Sequence, residues 1–409
     1  MKIGLIKEGK IPPDTRVALT PEQCAAIKAK YGLEVVVIAQ KSKIRAYGDE
    51  EYTRHGIALV DDVSDCDLLM GIKEVPLDEL IPGKTYSFFS HTIKKQVHNR
   101  KLLQTILAKN ITLIDYEVLT DDKGRRLIAF GYYAGMVGAH NALYTYGKRT
   151  GDFSLKRLHK CFDYAEAKAL YPGISWPAVK IVLTGGGRVA SGAVRTLRDM
   201  GIRQVSPQEY LGQDFDEIVF TQLNCGEYAQ RKDGKAFDMQ DFFAHPADYE
   251  SIFEPYTKVS DIMINGIFWD NRAPAFFTTQ DMAAPQFNIK VIADVTCDIA
   301  PNSSIPSTIR ASKIADPIFG FDPKTGKETA PHQPGVIDMM TIDNLPSEIP
   351  RDASKAFGGM FIEHILPELL KEKSDLIERA TISTHGKLGK HFQYLEDYVK
   401  NEAQGGQTG

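Results

Sequence analysis

Three consecutive glycines, Gly185, Gly186 and Gly187, lie where a run of β-branched and apolar residues is followed by an apolar helical pattern. With Ala190 they fit the spacing G-x-G-x-x-G/A, in which the first glycine permits a tight strand-to-helix turn. The second lets the backbone approach a pyrophosphate, whose charge then faces the free N–H groups at the start of the helix. Small residues also form ordinary turns, but a strand before them and a helix after them favour a dinucleotide site. The predicted contacts are Gly185, Gly187, Arg188, Ala190 and Gly192.

Two side chains that can exchange protons end other strand patterns. Lys73 follows an apolar run, where a lysine is partly removed from water, so its pKa can fall and its amine can act as a general base. His91 follows the aromatic run of residues 85–90. A surface lysine paired with Glu74, and an internal hydrogen-bonded histidine, are the structural alternatives for each residue alone. Together, Lys73 and His91 indicate acid–base chemistry at neighbouring strand ends.

Arginines provide candidate groups for anionic ligands. Arg16, in the first polar loop, and the pair Arg125 and Arg126 could bind carboxylates through two parallel hydrogen bonds. A solvated basic turn is the alternative for the pair. The sequence contains no H-E-x-x-H, G-x-S-x-G or Walker lysine motif, which disfavours metal-dependent hydrolysis, serine hydrolysis and kinase chemistry. We therefore expect small-molecule chemistry without a metal site.

Composition narrows the class of protein further. The 409 residues are 43% hydrophobic and carry a net charge of −4, which predicts a globular protein with neither nucleic-acid nor membrane partners. Five scattered cysteines show no zinc spacing and indicate reduced thiols. A strand pattern from Ile3 leaves no room for a signal peptide, and no apolar run reaches about 18 residues. We expect a cytoplasmic location.

Strand and helix patterns alternate along most of the chain, which predicts parallel sheets. The ligands of such sheets bind at the carboxyl ends of the strands, where Lys73, Glu74, His91 and Glu117 fall. The predicted fold class is α/β, with two Rossmann-like doubly wound parallel-sheet domains separated by a cleft. Residues 1–131 plus 352–409 are expected to form a substrate or catalytic domain, and residues 132–351 a dinucleotide-binding domain.

Several separate blocks, in the same order along the chain, carry a resemblance to a known family. On these blocks the chain resembles the lysine-forming saccharopine dehydrogenases and the related lysine–ketoglutarate reductases, within the alanine dehydrogenase/transhydrogenase-like superfamily. Alanine dehydrogenases share the first block and the Lys/His pair, but not the Gly-Arg-Arg block or the Ile-Asp-Asn-Leu-Pro block. The blocks are residues 14–21, 71–76, 88–94, 113–117, 124–135, 264–269 and 342–350.

The resemblance implies an NAD(P)-dependent interconversion of saccharopine with L-lysine and 2-oxoglutarate, an amino acid and a 2-oxoacid. It implies that Lys73 and His91 form the acid–base pair, and that Asn265 and Asp343 lie at the cofactor. The chain ends before the glutamate-forming half of the bifunctional relative, so only one of its two reactions is expected. The substrate-binding positions implied are Arg16, Glu74, Lys94, Glu117, Arg126 and Phe130.

The choice between NAD and NADP stays open at this point. A dinucleotide site usually has an acidic residue about 20 positions past the glycines, bound to the ribose. Glu209 is the candidate, yet Pro207 lies where the strand should end, and Arg203 and Ser206 are close by. Two other functions also remain open: an alanine dehydrogenase-like amino-acid dehydrogenase, and a catalytically silent nucleotide-sensing protein. The sequence gives no oligomeric state.

Overall fold

The computed structural model describes residues 1–400, and the chain divides into two compact units. Unit 1 comprises Met1–Ala129 together with Pro350–Gly409, and unit 2 comprises Phe130–Ile349. Each unit is built on an eight-stranded, mainly parallel sheet with flanking helices, which confirms the predicted α/β class and the two Rossmann-like sheets. The assignment of one unit to substrate and one to nucleotide stays a prediction.

The sheet of unit 1 has the strand order β18-β17-β6-β5-β4-β1-β2-β3. Strands β1 to β6 run parallel, so the carboxyl ends of β1, β4, β5 and β6 meet at one edge. The late strands β17 and β18 extend the sheet antiparallel beside β6. The bounds are β1 (Lys2–Leu5), β2 (Val36–Gln40), β3 (Ala58–Val60), β4 (Leu68–Met70), β5 (Thr85–Phe88), β6 (Thr112–Asp115), β17 (Thr381–Thr384) and β18 (Lys387–Leu388).

Helices cover this sheet, and the first shows how local sequence sets an element. Thr20 caps the helix α1 and exchanges hydrogen bonds with Gln23, Pro21 occupies the first turn, and Gly32, at φ +58°, ends it. The chain returns to unit 1 at Pro350, and in this second segment Phe357 packs edge-on against Tyr116, with ring centroids 4.9 Å apart. The helices of unit 1 are α1 (Pro21–Tyr31), α2 (Asp49–Arg54), α3 (Arg100–Ala108), α12 (Pro350–Met360), α13 (Leu366–Leu369), α14 (Asp375–Ala380) and α15 (Glu396–Lys400).

The sheet of unit 2 has the order β15-β14-β16-β13-β12-β7-β9-β8. The first strand, β7, pairs with β9 and β12, whereas β8 pairs with β9 at the edge of the sheet. A separate ribbon is formed by β10 and β11. The bounds are β7 (Lys180–Thr184), β8 (Arg203–Gln204), β9 (Val219–Leu223), β10 (Ala229–Arg231), β11 (Tyr249–Ser251), β12 (Ile262–Asn265), β13 (Val291–Asp294), β14 (Ile318–Asp322), β15 (Lys327–Thr329) and β16 (Ile337–Met340).

Two helices of unit 2 pack unusually closely. A Cβ on Gly135 of the long helix α4 would lie 1.7 Å from the carbonyl oxygen of Val189, and one on Gly192 of α6 would lie 1.8 Å from that of Tyr132. Only glycine permits this approach. The helices of unit 2 are α4 (Gly131–Thr150), α5 (Tyr164–Leu170), α6 (Arg188–Asp199), α7 (Pro207–Gly212), α8 (Cys225–Tyr228), α9 (Met239–Ala244), α10 (Glu254–Val259) and α11 (Thr279–Met282).

Candidate active site

Lys73 lies three residues beyond the end of β4, on a segment held by a side chain from the loop after β1. The carboxylate of Glu8 accepts the backbone N–H of Ile72 at 2.6 Å and that of Lys73 at 3.0 Å. Gly71 leaves room for this contact, since a Cβ there would lie 3.2 Å from Oε1 of Glu8. Burial raises the pKa of Glu8 to about 8. The position of Lys73 is therefore set by the side chain of Glu8 as well as by the strand.

The environment of Lys73 favours its neutral amine. Burial, followed by the positive charges of Arg16 and Lys10, lowers the pKa of Lys73 to about 8, against the opposing effect of Asp14 and Glu74. Within residues 1–400, no hydrogen bond or ion pair engages the amine itself. An amine of this kind can take up and release protons near neutral pH.

His91 is hydrogen-bonded to Glu74, the residue that follows Lys73 in the chain. The His91 Nδ1 lies 2.6 Å from Oε1 of Glu74, and Nζ of Lys10 donates to Oε2 of the same carboxylate at 2.7 Å. Burial raises the pKa of Glu74, but the hydrogen bonds from His91 and Lys10 outweigh it and hold the pKa at about 2. A carboxylate can only accept, so Nδ1 carries the proton and Nε2 is available for proton exchange.

The backbone of His91 is strained and is held in place by its neighbours. Its φ of +51° lies in the left-handed region, which is uncommon for a residue with a side chain. Buried Ser90 and Thr92 flank it, joined by a hydroxyl–hydroxyl hydrogen bond of 2.7 Å, and the N–H of Ser90 donates to Asp115 of β6 at 2.9 Å. The ring of Phe89 stacks on the imidazole at 6.3 Å between centroids. The imidazole is thus fixed from several sides.

Arg16 lies in a buried ion pair. Its Nε and Nη2 donate to the two carboxylate oxygens of Asp14 at 2.9 and 2.6 Å, and both side chains are 2% exposed. A buried guanidinium needs such a compensating charge. The carboxylate that this arginine binds in the structure is therefore internal, and its contact with a substrate stays a prediction.

The other predicted substrate residues occupy three different places. Glu117, in the turn after β6, is 8% exposed and accepts a hydrogen bond from Nη2 of Arg126, whose side chain is 44% exposed. Lys94 is exposed in the turn that follows His91. Phe130 is the first residue of unit 2 and precedes α4.

The glycine turn of unit 2 has the geometry of an anion site. Gly185 adopts a φ of +107°, and a Cβ on it would lie 2.6 Å from the carbonyl oxygen of Gly266, so this position requires glycine. Gly187 caps α6, and a Cβ on it would meet no described atom within 4 Å. The glycines carry no side chain that would keep a ligand away from the N-terminus of this twelve-residue helix. The N-terminus therefore fits the pyrophosphate of a dinucleotide.

Comparisons with known proteins show which chains this one is similar to. The family model described as "Alanine dehydrogenase/PNT, N-terminal domain" matches residues 4–137. The lysine-forming saccharopine dehydrogenase of Emericella nidulans is 29% identical, over 91% of this chain and 92% of its own. Over most of its length, this chain is therefore similar to lysine-forming saccharopine dehydrogenases.

Larger relatives and solved structures extend the comparison. The alpha-aminoadipic semialdehyde synthase of Arabidopsis thaliana is 31% identical over 98% of this chain but only 42% of its own length. The chain thus spans less than half of the first relatives that it matches, which include the rat and mouse synthases. An L-alanine dehydrogenase structure shares the fold, with a TM-score of 0.64 at 15% identity, and covers 98% of this chain and 100% of its own.

Two predicted cofactor residues are packed inside unit 2. Ala190 and Gly192 are both buried on α6. Because Gly192 has no side chain, the backbone of α4 can pack directly against it. Ala190 belongs to the core of unit 2. Their small size lets α6 approach its neighbours, and their contact with a cofactor stays a prediction.

Asn265 is likewise internal. It ends β12 with no exposed surface, and its Oδ1 accepts from Thr184 at 2.8 Å. Its Nδ2 donates to Asp294 at 2.9 Å and to Ser304 at 3.0 Å. Both ends of the carboxamide are therefore occupied, and its side chain connects the strand ends beside the glycine turn.

The structure changes the basis of the ribose prediction. Glu209 is predicted from its position about 20 residues past the glycines. It follows the strand β8, and β8 pairs only with β9. The carboxylate of Glu209 accepts from the N–H and hydroxyl of Ser206 at 2.9 and 2.7 Å and caps α7. The strand next to β7 is β9, and Asn224 is the residue that follows it. This end of β9 is the position at which a ribose would be expected.

The remaining two predicted cofactor residues are exposed. Arg188 begins α6 directly after the glycines, and Asp343 follows the end of β16. Both lie at the carboxyl edge of the parallel strands of unit 2. Their contact with a cofactor stays a prediction.

Three residues of the site were missed in the sequence. Glu8, Lys10 and Asp14 all lie in the polar loop after β1. Glu8 accepts the backbone N–H of Lys73, Lys10 donates to the carboxylate of Glu74, and Asp14 accepts from the guanidinium of Arg16. The sequence gives one indication of their role: the loop follows β1, whose carboxyl end lies at the same edge of the sheet as that of β4. Charged residues in a loop are common, so that signal alone did not separate them from a solvated turn.

Residues 1–400 contain neither a metal-binding cluster nor a membrane-spanning helix. No group of three or more His, Cys, Asp or Glu side chains in that range could hold a metal ion. No helix in the same part of the chain is long and apolar enough to cross a membrane.

Proposed function

We propose that the protein interconverts saccharopine with L-lysine and 2-oxoglutarate, with a nicotinamide dinucleotide as the hydride carrier. The observation that carries the proposal is the linkage of Lys73 and His91 through Glu74 at the ends of β4 and β5. The fungal relatives, which this chain matches over most of their length, are named for the lysine-forming saccharopine dehydrogenase reaction. The nicotinamide supplies or accepts the hydride when it is bound.

The two proton-exchanging groups match the two proton transfers of the reaction. In the direction of saccharopine, the ε-ammonium of lysine must lose a proton before its nitrogen can attack the keto carbon. The carbinolamine oxygen must then gain a proton so that it leaves as water. Lys73, with its lowered pKa, and His91, through Nε2, are the groups that we assign to these steps.

Unit 2 provides the nucleotide contacts in this proposal. Gly185 and Gly187 let the pyrophosphate approach the start of α6, and Arg188 and Asp343 lie at the same edge of the sheet. Unit 1 then carries the substrate, with Arg16, Lys94 and Arg126 as cations for its carboxylates and Glu117 for its ammonium. Glu74 orients His91, and the contact of Phe130 with the substrate belongs to the same proposal.

The proposed ligands are small molecules in a cytoplasmic setting. All five cysteines are unpaired in the described chain, as in reduced proteins. The charged groups around Lys73 suit an amino acid and a 2-oxoacid. A nucleic-acid partner is not part of the proposal, since the net charge of the chain is −4.

A coupled set of assays tests the proposal. Purified protein should oxidise a reduced nicotinamide cofactor in the presence of lysine and 2-oxoglutarate, and not with pyruvate and ammonia, which an alanine dehydrogenase would use. His91→Gln should bind the cofactor unchanged and lose about 10²–10⁴-fold in turnover. Absence of lysine-dependent oxidation would reject the proposal. Binding without any turnover would support a nucleotide-sensing protein instead.

A further inference from the structure

Asn224 lies where a Rossmann-type sheet contacts the adenosine ribose, at the carboxyl end of the strand beside the glycine turn. In unit 2 this strand is β9, which pairs with β7 along its whole length. The side chain of Gln222 donates to the carbonyl oxygen of Gly185 at 2.8 Å and ties the end of β9 to the turn. The ribose position therefore follows from the strand order of this chain and not from counting residues after the glycines.

The carboxamide of Asn224 lies over the turn itself. A Cβ on Gly186 would be 2.6 Å from its Oδ1, which shows how close the two groups are. The side chain is exposed, at the residue that precedes α8. It thus presents one donor and one acceptor beside the turn, which matches the two hydroxyls of an unphosphorylated ribose.

The charge at this end of β9 is negative. The half-buried carboxylate of Glu227 accepts the backbone N–H of Asn224. On the neighbouring elements, Arg203 of β8 pairs with Glu217 at 2.8 Å, and Arg188 begins α6 next to the pyrophosphate position. A 2′-phosphate placed beside Asn224 would therefore meet a carboxylate, and like charges in contact weaken binding.

We propose that Asn224 binds the adenosine ribose, and that Asn224 and Glu227 together select NAD(H) over NADP(H). The inference rests on the proposed function, since it requires unit 2 to bind a nicotinamide dinucleotide. Specificity of this kind comes from a repulsive group as much as from an attractive one.

Direct binding measurements test the inference separately from catalysis. Fluorescence titrations of NADH and NADPH on the full chain, at one fixed ionic strength, should give a Kd for NADH lower by about tenfold or more. Glu227→Gln should tighten NADPH binding and leave NADH unchanged, because the amide still accepts the N–H of Asn224. Asn224→Ala should weaken NADH by about tenfold. The exposed Glu250→Gln, with the same change of charge on β11, should alter neither.

Several results would overturn the assignment. Equal affinities, or tighter NADPH, in the wild-type protein would do so, as would a loss of NADPH binding alone in Arg188→Gln. If Glu209→Gln weakened NADH binding and Asn224→Ala did not, the ribose site would lie at Glu209, beside the edge strand β8. Failure to bind either cofactor would reject both this inference and the proposed function. The expected Kd values without lysine-dependent turnover would reject only the proposed function.

Discussion

At the scale of single residues, the candidate site depends on how charges are paired. Glu74 is shared between His91 and Lys10, whereas Arg16 is matched by Asp14. Lys73 has no such partner among residues 1–400, and its pKa falls as a result of burial and of the surrounding cations. The one unpaired ammonium of this group is thus the one suited to exchange protons at neutral pH.

The first prediction concerns the pH dependence that Lys73 imposes. It can accept a proton only as the neutral amine, so kcat/KM for saccharopine formation should rise with pH through about 8 and level off above it. Lys73→Met should remove this limb and lower kcat by about 10²–10⁴-fold. Initial-rate profiles measure both effects, with the exposed Lys101→Met as the control. A wild-type rate that does not change through pH 8 would contradict the assignment.

The second prediction concerns the stability that the Asp14–Arg16 pair supplies. Asp14→Asn leaves the buried guanidinium of Arg16 without its counter-charge, which should lower the free energy of unfolding by about 3–5 kcal/mol. Burial raises the pKa of Asp14, but Arg16 outweighs it and holds the pKa well below its usual range. The stabilisation is therefore present above about pH 4, the pKa of an unfolded aspartate, and is lost as the pH falls below that.

Urea unfolding at several pH values checks this second prediction. The difference between wild type and Asp14→Asn should be large at neutral pH and should shrink in acid. Asp397→Asn, at an exposed position of α15, is the matched control and should unfold like the wild type at each pH. A difference that stays constant down to about pH 2 would show that the pair does not act through its charge.

At the scale of elements, the sequence was sufficient where the signals are local. Thr20, Pro21 and Gly32 mark the bounds of α1 because capping and helix termination act within a turn of the chain. Strand order is not local. The sequence placed Glu209 by its distance from the glycines, but packing puts β9 and not β8 beside β7, which is the basis of the proposal for Asn224. The contacts of Glu8 were missed for the same reason, since β4 lies far along the chain.

The third prediction concerns Glu8, which fixes the segment that carries Lys73. In Glu8→Gln the carboxamide can accept only one of the two N–H groups and places its own NH₂ against the other. An unsatisfied donor costs about 1–3 kcal/mol, so we expect kcat to fall by about tenfold and the pH limb near 8 to move. Cofactor binding should not change. The control, Glu34→Gln at an exposed position, should leave kcat and the pH profile unaltered. An unaltered kcat and pH profile in Glu8→Gln would contradict the prediction.

At the scale of the whole molecule, the chain forms one unit from two separate segments and the other from a single one. Unit 2 is continuous from Phe130 to Ile349, whereas unit 1 requires both ends of the sequence. Each unit has its own sheet and its own buried residues, among them Leu113 in unit 1 and Ile181 in unit 2. A ligand of one unit should therefore stabilise that unit directly.

The fourth prediction uses the two tryptophans, Trp176 and Trp269, which both belong to unit 2. NAD at about 100 times its Kd should stabilise the transition seen by tryptophan fluorescence by about 2.7 kcal/mol. Urea unfolding with and without NAD measures the shift. Lys73→Met, altered only in unit 1, should show the same shift. An unchanged midpoint in the presence of NAD would place the nucleotide outside unit 2.

The pairing of β17 with β6 has a consequence for synthesis of the protein. Ser383 pairs with Leu113, so a growing chain displays β6 as an open sheet edge until some 270 further residues have been translated. Unit 2, being continuous, can complete its fold within that interval. During translation, a folded unit 2 would therefore be attached to an incomplete unit 1, whose unpaired strand β6 is open to aggregation.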